Sequence, residues 1–214
     1  HFRGTIKSRI TRLWERIREL YEDLDLDHRI SNFKLRMFVK DEDSPHSDFP
    51  FLSHAVKAAE ARSLARVGLA LAREYENEDV HTRTRLLLFK NLNRFYDIVG
   101  EGDMFLTVNQ SAKLIAATDG FLACYQFLAR NALDAPRPRK KWSTVNKHHM
   151  FWHLSRELVP LNPRWVWCYQ PEDYQRWITM AGAGCAMGSS IYMVPHKLCA
   201  VSYTHLTLPT IRSV

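Results

Sequence analysis

Two histidines four residues apart are the side chains whose types and spacing are best suited to chemistry in this chain. His149 and His153 lie in the segment KHHMFWH, residues 147–153, which we predict to be helical, and a separation of four places both rings on one helix face. Paired imidazoles at this spacing are ligands for a divalent metal ion such as Zn²⁺. Because such a site requires three or four ligands, we expect a carboxylate on the next predicted helix, Glu172 or Asp173, to complete it. The alternative is a pair of histidines that hydrogen-bond within a helix interface.

A basic linker, residues 135–143, is the second feature with a chemical use. The linker and the residues just after it carry five cations and no acid, and these predicted nucleic-acid contacts are Arg137, Arg139, Lys140, Lys141 and Lys147. Cations grouped in this way neutralise the phosphates of a nucleic acid such as DNA, and Trp142 could stack on a base. The alternative is a solvated, flexible loop.

Other catalytic and cofactor motifs are missing from the sequence or stand in the wrong context. Gly182, Gly184 and Gly188 are spaced somewhat like a dinucleotide-binding loop, but they follow a predicted helix and not a strand. The chain has neither a G-x-x-x-x-G-K-[ST] phosphate loop nor a G-x-S-x-G nucleophile elbow. The cysteines include no C-x-x-C pair, which favours reduced thiols in the nucleus or cytoplasm; they are Cys124, Cys168, Cys185 and Cys199.

The composition is that of a folded and moderately basic protein. Hydrophobic residues make up 46% and aromatic residues 12% of the 214 positions, which argues against disorder. The formal net charge of +7 is compatible with a polyanionic partner. No apolar run approaches the roughly 18 residues that a membrane span needs. We therefore expect an intracellular protein with no membrane partner, folded as a single helical domain over residues 1–200.

Apolar residues recur every three or four positions through most of the chain, which predicts an all-α fold. We expect six to seven helices in an irregular bundle, with at most one short strand pair, at residues 32–39 and 165–169. Thr107 and Gln110 have the spacing of a capping box at the start of the fourth helix, and Pro160 ends the fifth. The predicted helices span residues 6–24, 54–76, 82–99, 108–132, 145–159 and 171–185.

The last residues, 201–214, have a separate origin in our interpretation. Translated backwards, they resemble the DNA of a sequencing adapter read in one frame, with Val214 standing directly before a stop codon. We expect this tail to be non-native and exclude it from reasoning about the fold. Because the first residue is His1 and not Met, we interpret residues 1–200 as a fragment truncated at both ends.

Three short segments together resemble a known group of proteins. They are KHHMFWHL at residues 147–154, NPR at 162–164 and YQPED at 169–173. The chain resembles transposon-related reading frames of protist genomes and, more distantly, the helical C-terminal part of DDE-type transposases. The resemblance implies a DNA-handling mobile-element protein with an RNase H-like core, in which three carboxylates hold two divalent metal ions. Glu172 would be the last of these carboxylates, and the chain has no strand-borne Asp for the other two.

These features leave three functions open. The first is a fragment of a transposase-like mobile-element protein that binds nucleic acid and is catalytically inactive by itself. The second is a metal-dependent enzyme domain, with a divalent metal ion as cofactor and with His149, His153 and Glu172 as its ligands. The third is a helical interaction module with a purely structural role. Salt-dependent binding of DNA would favour the first, and stoichiometric metal would favour the second.

Overall fold

A computed structural model describes residues 5–39, 49–50, 56–136 and 140–166, and short stretches at 183–185, 187–188, 190, 192–194 and 196–197. The chain divides into two units, His1–Val166 and Trp167–Val214. The described part of the first unit consists of five α-helices and two short 3-10 helices, which confirms the all-α prediction. None of the described helices combines the length and the apolar character needed to cross a membrane. Most of the predicted sixth helix and the whole of the predicted non-native tail lie outside the described residues.

The first two helices share a small apolar core. Helix α1, Ile6–Asp23, begins after Thr5, whose hydroxyl accepts a hydrogen bond from a backbone N–H of the first turn at 3.3 Å. Helix α2, Ala58–Glu74, packs against α1, and an ion pair of 2.8 Å joins Arg16 of α1 to Glu74 at the end of α2. The buried side chains of this core are Ile17, Leu20, Tyr21, Ile30 and Val67.

The strand pair that the sequence left open is not present in the described residues. The first segment forms a 3-10 turn, Leu35–Met37, and the start of the second belongs to another 3-10 helix, Pro163–Val166. The rest of the second segment lies outside the described residues. A single antiparallel bridge, between Phe105 and Leu161, is the one extended pairing in the part of the chain that the structure describes.

Two long helices pack against each other and carry about half of the buried hydrophobic residues that the structure describes. Helix α3, Val80–Glu101, contacts both α2 and helix α4, Val108–Asp134. The predicted capping box opens α4: Thr107 Oγ1 accepts from the N–H of Gln110 at 3.2 Å, and Gln110 Oε1 accepts from the N–H of Thr107 at 2.9 Å. Helix α3 begins two residues earlier than predicted because Asp79 caps its first turn, where the carboxylate accepts a backbone hydrogen bond at 3.3 Å.

Two glycines allow these helices to approach one another closely. A Cβ atom added to Gly68 of α2 would lie 2.2 Å from the ring of Phe89 on α3. A Cβ added to Gly120 of α4 would lie 2.6 Å from the side chain of Asn91, also on α3. Both distances are too short for ordinary contact, so a side chain at either position would clash and glycine is required there. Close packing thus explains why a residue of low helix propensity stands inside two regular helices.

Helix α5, Asn146–Glu157, lies against α4 and ends before Pro160, as predicted. Its anchor is Phe151, whose ring meets Phe95 of α3 edge to face, with centroids 4.8 Å apart, and Phe121 of α4 at 5.7 Å. Aromatic pairs in this geometry stabilise beyond the area that they bury. The rotation of α5 about its own axis is therefore fixed, and with it the direction in which the histidines project.

Candidate nucleic-acid interface and histidine pair

Tyr125 of α4 holds the described end of the basic linker. Its hydroxyl donates a hydrogen bond of 2.8 Å to the backbone carbonyl of Ser143, and its ring meets Trp142 edge to face with centroids 5.4 Å apart. Burial raises the pKa of Tyr125, against the opposing effect of the bond to Ser143, so the hydroxyl remains a donor at neutral pH. The end of the linker is therefore fixed to the helical framework.

Three of the five predicted phosphate contacts lie at the surface in the described residues. Lys140 and Lys141 are exposed at the end of the linker, and Lys147 is exposed in the first turn of α5. Neither Lys141 nor Lys147 forms an ion pair with any carboxylate that the structure describes. Arg137 and Arg139 lie outside the described residues.

The charge of the linker extends to the start of α3. Burial lowers the pKa of His81, and the cations of Arg85 and Lys141 lower it further, with Asp79 opposing them. The Nε of Arg85 is buried and has no hydrogen-bond partner among the described residues. Because Arg85, Lys141 and Asp79 all act on the same imidazole, the described end of the linker lies near the start of α3. We give the name linker surface to the surface defined by Arg85, Lys140, Lys141 and Lys147.

The aromatic side chains beside the linker surface differ in their exposure. Trp142 is partly buried, and its indole N–H has no acceptor among the residues described. Stacking of Trp142 on a base stays a prediction. Trp152 of α5 is 40% exposed, lies parallel to the ring of His149 with centroids 6.4 Å apart, and has the guanidinium of Arg156 over its ring at 4.3 Å. Arg156 is held by two hydrogen bonds of 2.7 and 2.8 Å to Asp119 of α4.

His149 and His153 lie together on α5, as the spacing predicts. Their Nε2 atoms are 2.9 Å apart, and their ring planes are nearly perpendicular. Two nitrogens bound to one ion at about 2.0–2.1 Å are themselves about 2.9–3.3 Å apart, so the pair has the separation of a shared metal ligand set and also of a hydrogen bond. The other nitrogen of His153, Nδ1, contacts the carboxylate of Glu157.

A third metal ligand is not found near this pair in the part of the chain that the structure describes. No group of three or more His, Cys, Asp or Glu side chains could hold a metal ion there. Glu172, the predicted third ligand and predicted catalytic carboxylate, lies outside the described residues. Glu157 faces the nitrogen of His153 that points away from the pair, so it orients the ring and does not join the same ligand set.

His148 belongs to the framework and not to the pair. Its ring packs on Tyr125 with centroids 4.2 Å apart, and its Nδ1 accepts a hydrogen bond of 3.1 Å from the N–H of Val145. This bond opens α5, which begins one residue later than expected. A groove of about 440 Å³ runs beside it and is lined by Leu122, Gln126, Thr144, Val145, Asn146, His148, His149 and Trp152.

Sequence reasoning missed the roles of Tyr125 and Arg85. Tyr125 fits the buried stripe of α4, so its pattern indicates packing and gives no sign that its hydroxyl fixes the linker. Arg85 lies far from the linker in sequence, and only the packing of α3 brings its charge near Lys141. Comparison of the chain with protein families, with curated proteins and with solved structures finds no match.

Proposed function

We propose that the chain is a nucleic-acid-binding helical region of a transposase-like mobile-element protein, and that it binds the phosphate backbone of DNA through the linker surface. By itself this region is non-catalytic. The observation that carries the proposal is that Tyr125 holds the end of the linker on the helical framework, where Lys140, Lys141 and Lys147 make a short exposed basic region. A duplex presents a continuous row of phosphates that complements such a region.

The linker surface is also pre-organised for binding. Tyr125 fixes the backbone at Ser143, and the hydrogen bond from Val145 to His148 opens the helix that carries Lys147. Ordering a flexible segment would subtract from the binding free energy, and the end of the linker that is held at Ser143 avoids this cost. The lysine side chains remain long and mobile at their ends, which suits contacts to phosphates and not the reading of bases.

Fluorescence anisotropy with a labelled DNA duplex, and with the matching single strand, at about 50 and 200 mM salt tests this proposal. We expect binding that weakens steeply as salt increases, because bound cations release counterions from the DNA. The double variant Lys141→Gln and Lys147→Gln removes two phosphate contacts. It should reduce the slope of log K against log salt by about 2 and weaken binding to all sequences equally.

A control of equal charge separates the linker surface from net charge. Arg9→Gln combined with Lys113→Gln removes two exposed cations from α1 and α4, and this variant should bind DNA as the parent chain does. Absence of binding at low salt, or binding that salt does not weaken, would contradict the proposal. An equal loss in the control variant would also contradict it, because the linker surface would then have no special role.

A second candidate is the metal-dependent domain that the histidine spacing predicts. The observation that favours it is the 2.9 Å separation of the two Nε2 atoms, together with the carboxylate of Glu157 on the far nitrogen of His153. Metal-bound histidines commonly donate their second N–H to a carboxylate, which orients the ring and increases its basicity. Two histidines leave room for further ligands from solvent or from elsewhere in the chain.

Titration of the purified chain with Zn²⁺ and Ni²⁺ by calorimetry tests the second candidate. We expect one ion per chain, and His153→Gln should weaken binding at least tenfold because one of two protein ligands is lost. His148→Gln is the matched control, since this ring is one residue away but packs on Tyr125. Binding that is unaffected by His153→Gln, or lost equally in both variants, would rule out a site at the pair.

A further inference from the structure

A second positive region lies in a cleft between α2 and α3, beside the end of α1. The cleft has a volume of about 340 Å³, enough for a small ligand. Four of its side chains are cationic and one is anionic, and it shares no residue with the linker surface. The residues that line it are Leu24, Arg66, Leu69, Ala70, Arg73, Lys90, Asn93, Arg94 and Asp97.

Most of the positive charge in this cleft is not neutralised by any carboxylate in the described part of the chain. Arg66 forms an ion pair with Asp97 across the two helices. Arg73, Lys90 and Arg94 are exposed, and none of the three has an ion-pair or hydrogen-bond partner within the described ranges. A concave surface with apolar walls and several cations concentrates the local positive potential and attracts anions.

Asn93 adds an independent sign of a ligand. It is only 2% exposed, and its Nδ2 donates hydrogen bonds of 2.8 Å to the carbonyls of Ala65 and Phe89. Since both donors are used, the orientation of the amide is fixed, and its Oδ1 is left as a buried acceptor with no partner among the described residues. A buried acceptor without a donor costs free energy, so such atoms call for an explanation.

We propose that this cleft binds a phosphate group that carries a proton, as in inorganic phosphate or, near or below its second pKa of about 6, a phosphate monoester. The cations of Arg73, Lys90 and Arg94 would neutralise the anion, and its P–O–H hydrogen would bond to Oδ1 of Asn93, which is covered by the protein and would have to become accessible on binding. A phosphodiester in DNA and a sulfate ion are anionic but carry no such proton at neutral pH. The proposal is independent of DNA binding by the linker surface, and either can fail without the other.

Calorimetry and thermal unfolding of the full chain test the proposal, with inorganic phosphate and sulfate compared at equal ionic strength. Phosphate should bind once per chain and raise the Tm in a concentration-dependent way, because a ligand that binds the folded state stabilises it. Sulfate should bind at least fivefold more weakly, since its oxygens offer no donor to Asn93. Adenosine monophosphate, compared with phosphate at about pH 6 where a large share of the monoester keeps its proton, is the third arm. Binding as tight as that of phosphate or tighter identifies a monoester ligand, and weaker binding identifies free phosphate.

Three variants of residues that line the cleft, and one control variant outside it, test whether phosphate binds in the cleft. Arg94→Gln and Lys90→Gln should each weaken phosphate binding about tenfold, because each removes a cation that has no partner among the described residues. Asn93→Leu should bring phosphate affinity down to that of sulfate. Lys7→Gln, on α1, removes an exposed cation away from the cleft and should bind phosphate as the parent does. Equal affinity for phosphate and sulfate in the parent chain, or binding unaffected by Arg94→Gln, would overturn the proposal.

Discussion

Buried polar side chains at the end of helix α3 and within the helix differ in whether they find hydrogen-bond partners. At the end, Asn162 is fully buried, and its Nδ2 reaches the carbonyls of Val99, Gly102 and Asp103 at 3.0 Å each. Its Oδ1 accepts a hydrogen bond of 3.0 Å from the N–H of Arg164, so every polar atom of the side chain has a partner. Within the helix, Nε of Arg85 and Oδ1 of Asn93 are buried and have no partner among the described residues.

The difference between the two asparagines follows from the geometry of helices. The last carbonyls of an α-helix have no intrahelical donor, and Asn162 supplies that donor at the end of α3. The carbonyls that Asn93 reaches, on Ala65 and Phe89, lie inside α2 and α3, where the N–H four residues later already bonds to them. Asn162 is therefore needed by the fold, whereas Asn93 contributes little that the helices lack. This contrast separates an asparagine kept for structure from one that is available to a ligand.

Replacing each asparagine by leucine is the strongest test of the contrast. Asn162→Leu removes the donors to the end of α3 and leaves buried carbonyls unpaired, so it should lower the free energy of unfolding by about 3 kcal/mol. Urea denaturation followed by circular dichroism measures this loss. The substitution should leave the affinity for phosphate unchanged under conditions where the variant is folded.

Asn93→Leu is the matched substitution. It removes hydrogen bonds to carbonyls that keep their helical partners, and it also removes an unpaired buried acceptor, so the net cost should be about 1 kcal/mol or less. The same urea experiment measures it. A cost equal to that of Asn162→Leu would show that the two side chains have the same structural role, and the contrast would be wrong.

The smallest expected effect concerns pH and the first turn of α3. Because burial and nearby cations lower the pKa of His81, the unfolded chain takes up a proton at higher pH than the folded chain. The contribution of His81 to the free energy of unfolding is present above its pKa in the unfolded chain, about 6.5. This contribution is lost as pH falls through the lower pKa that His81 has in the folded chain. NMR titration should therefore place the pKa of His81 below 6.5, and Lys141→Gln should raise it. Lys147→Gln is the control and should not change it.

Much of the helical framework could be predicted from the sequence because it depends on local patterns. The three-and-four spacing of apolar residues marks α1 to α5, and the capping box of Thr107 and Gln110 forms as predicted. Errors lie at helix ends. Asp79 extends α3 by two residues, and α5 begins after Val145, because caps depend on single hydrogen bonds that periodicity does not report.

A candidate site could be predicted from the sequence where all of its residues lie on one helix, and could not be predicted where two helices form it together. His149 and His153 meet because a spacing of four is a property of any α-helix. The cleft of Arg73, Lys90 and Arg94 could not be predicted, since it exists only where α2 and α3 pack side by side. The same holds for Asn93, whose unpaired oxygen depends on the path of the neighbouring helix.

Tyr125 has a consequence beyond holding the linker. Its side chain contacts the linker, at Ser143 and Trp142, and it also contacts α5, at the ring of His148. Displacing either segment disturbs the same side chain, so the two segments are energetically coupled. By thermodynamic reciprocity, if the linker lysines bound a ligand and the histidine pair bound a metal, each would change the affinity for the other by the same factor. Tyr125→Phe, which keeps the ring that packs on His148 and removes the hydroxyl that holds Ser143, would weaken this coupling.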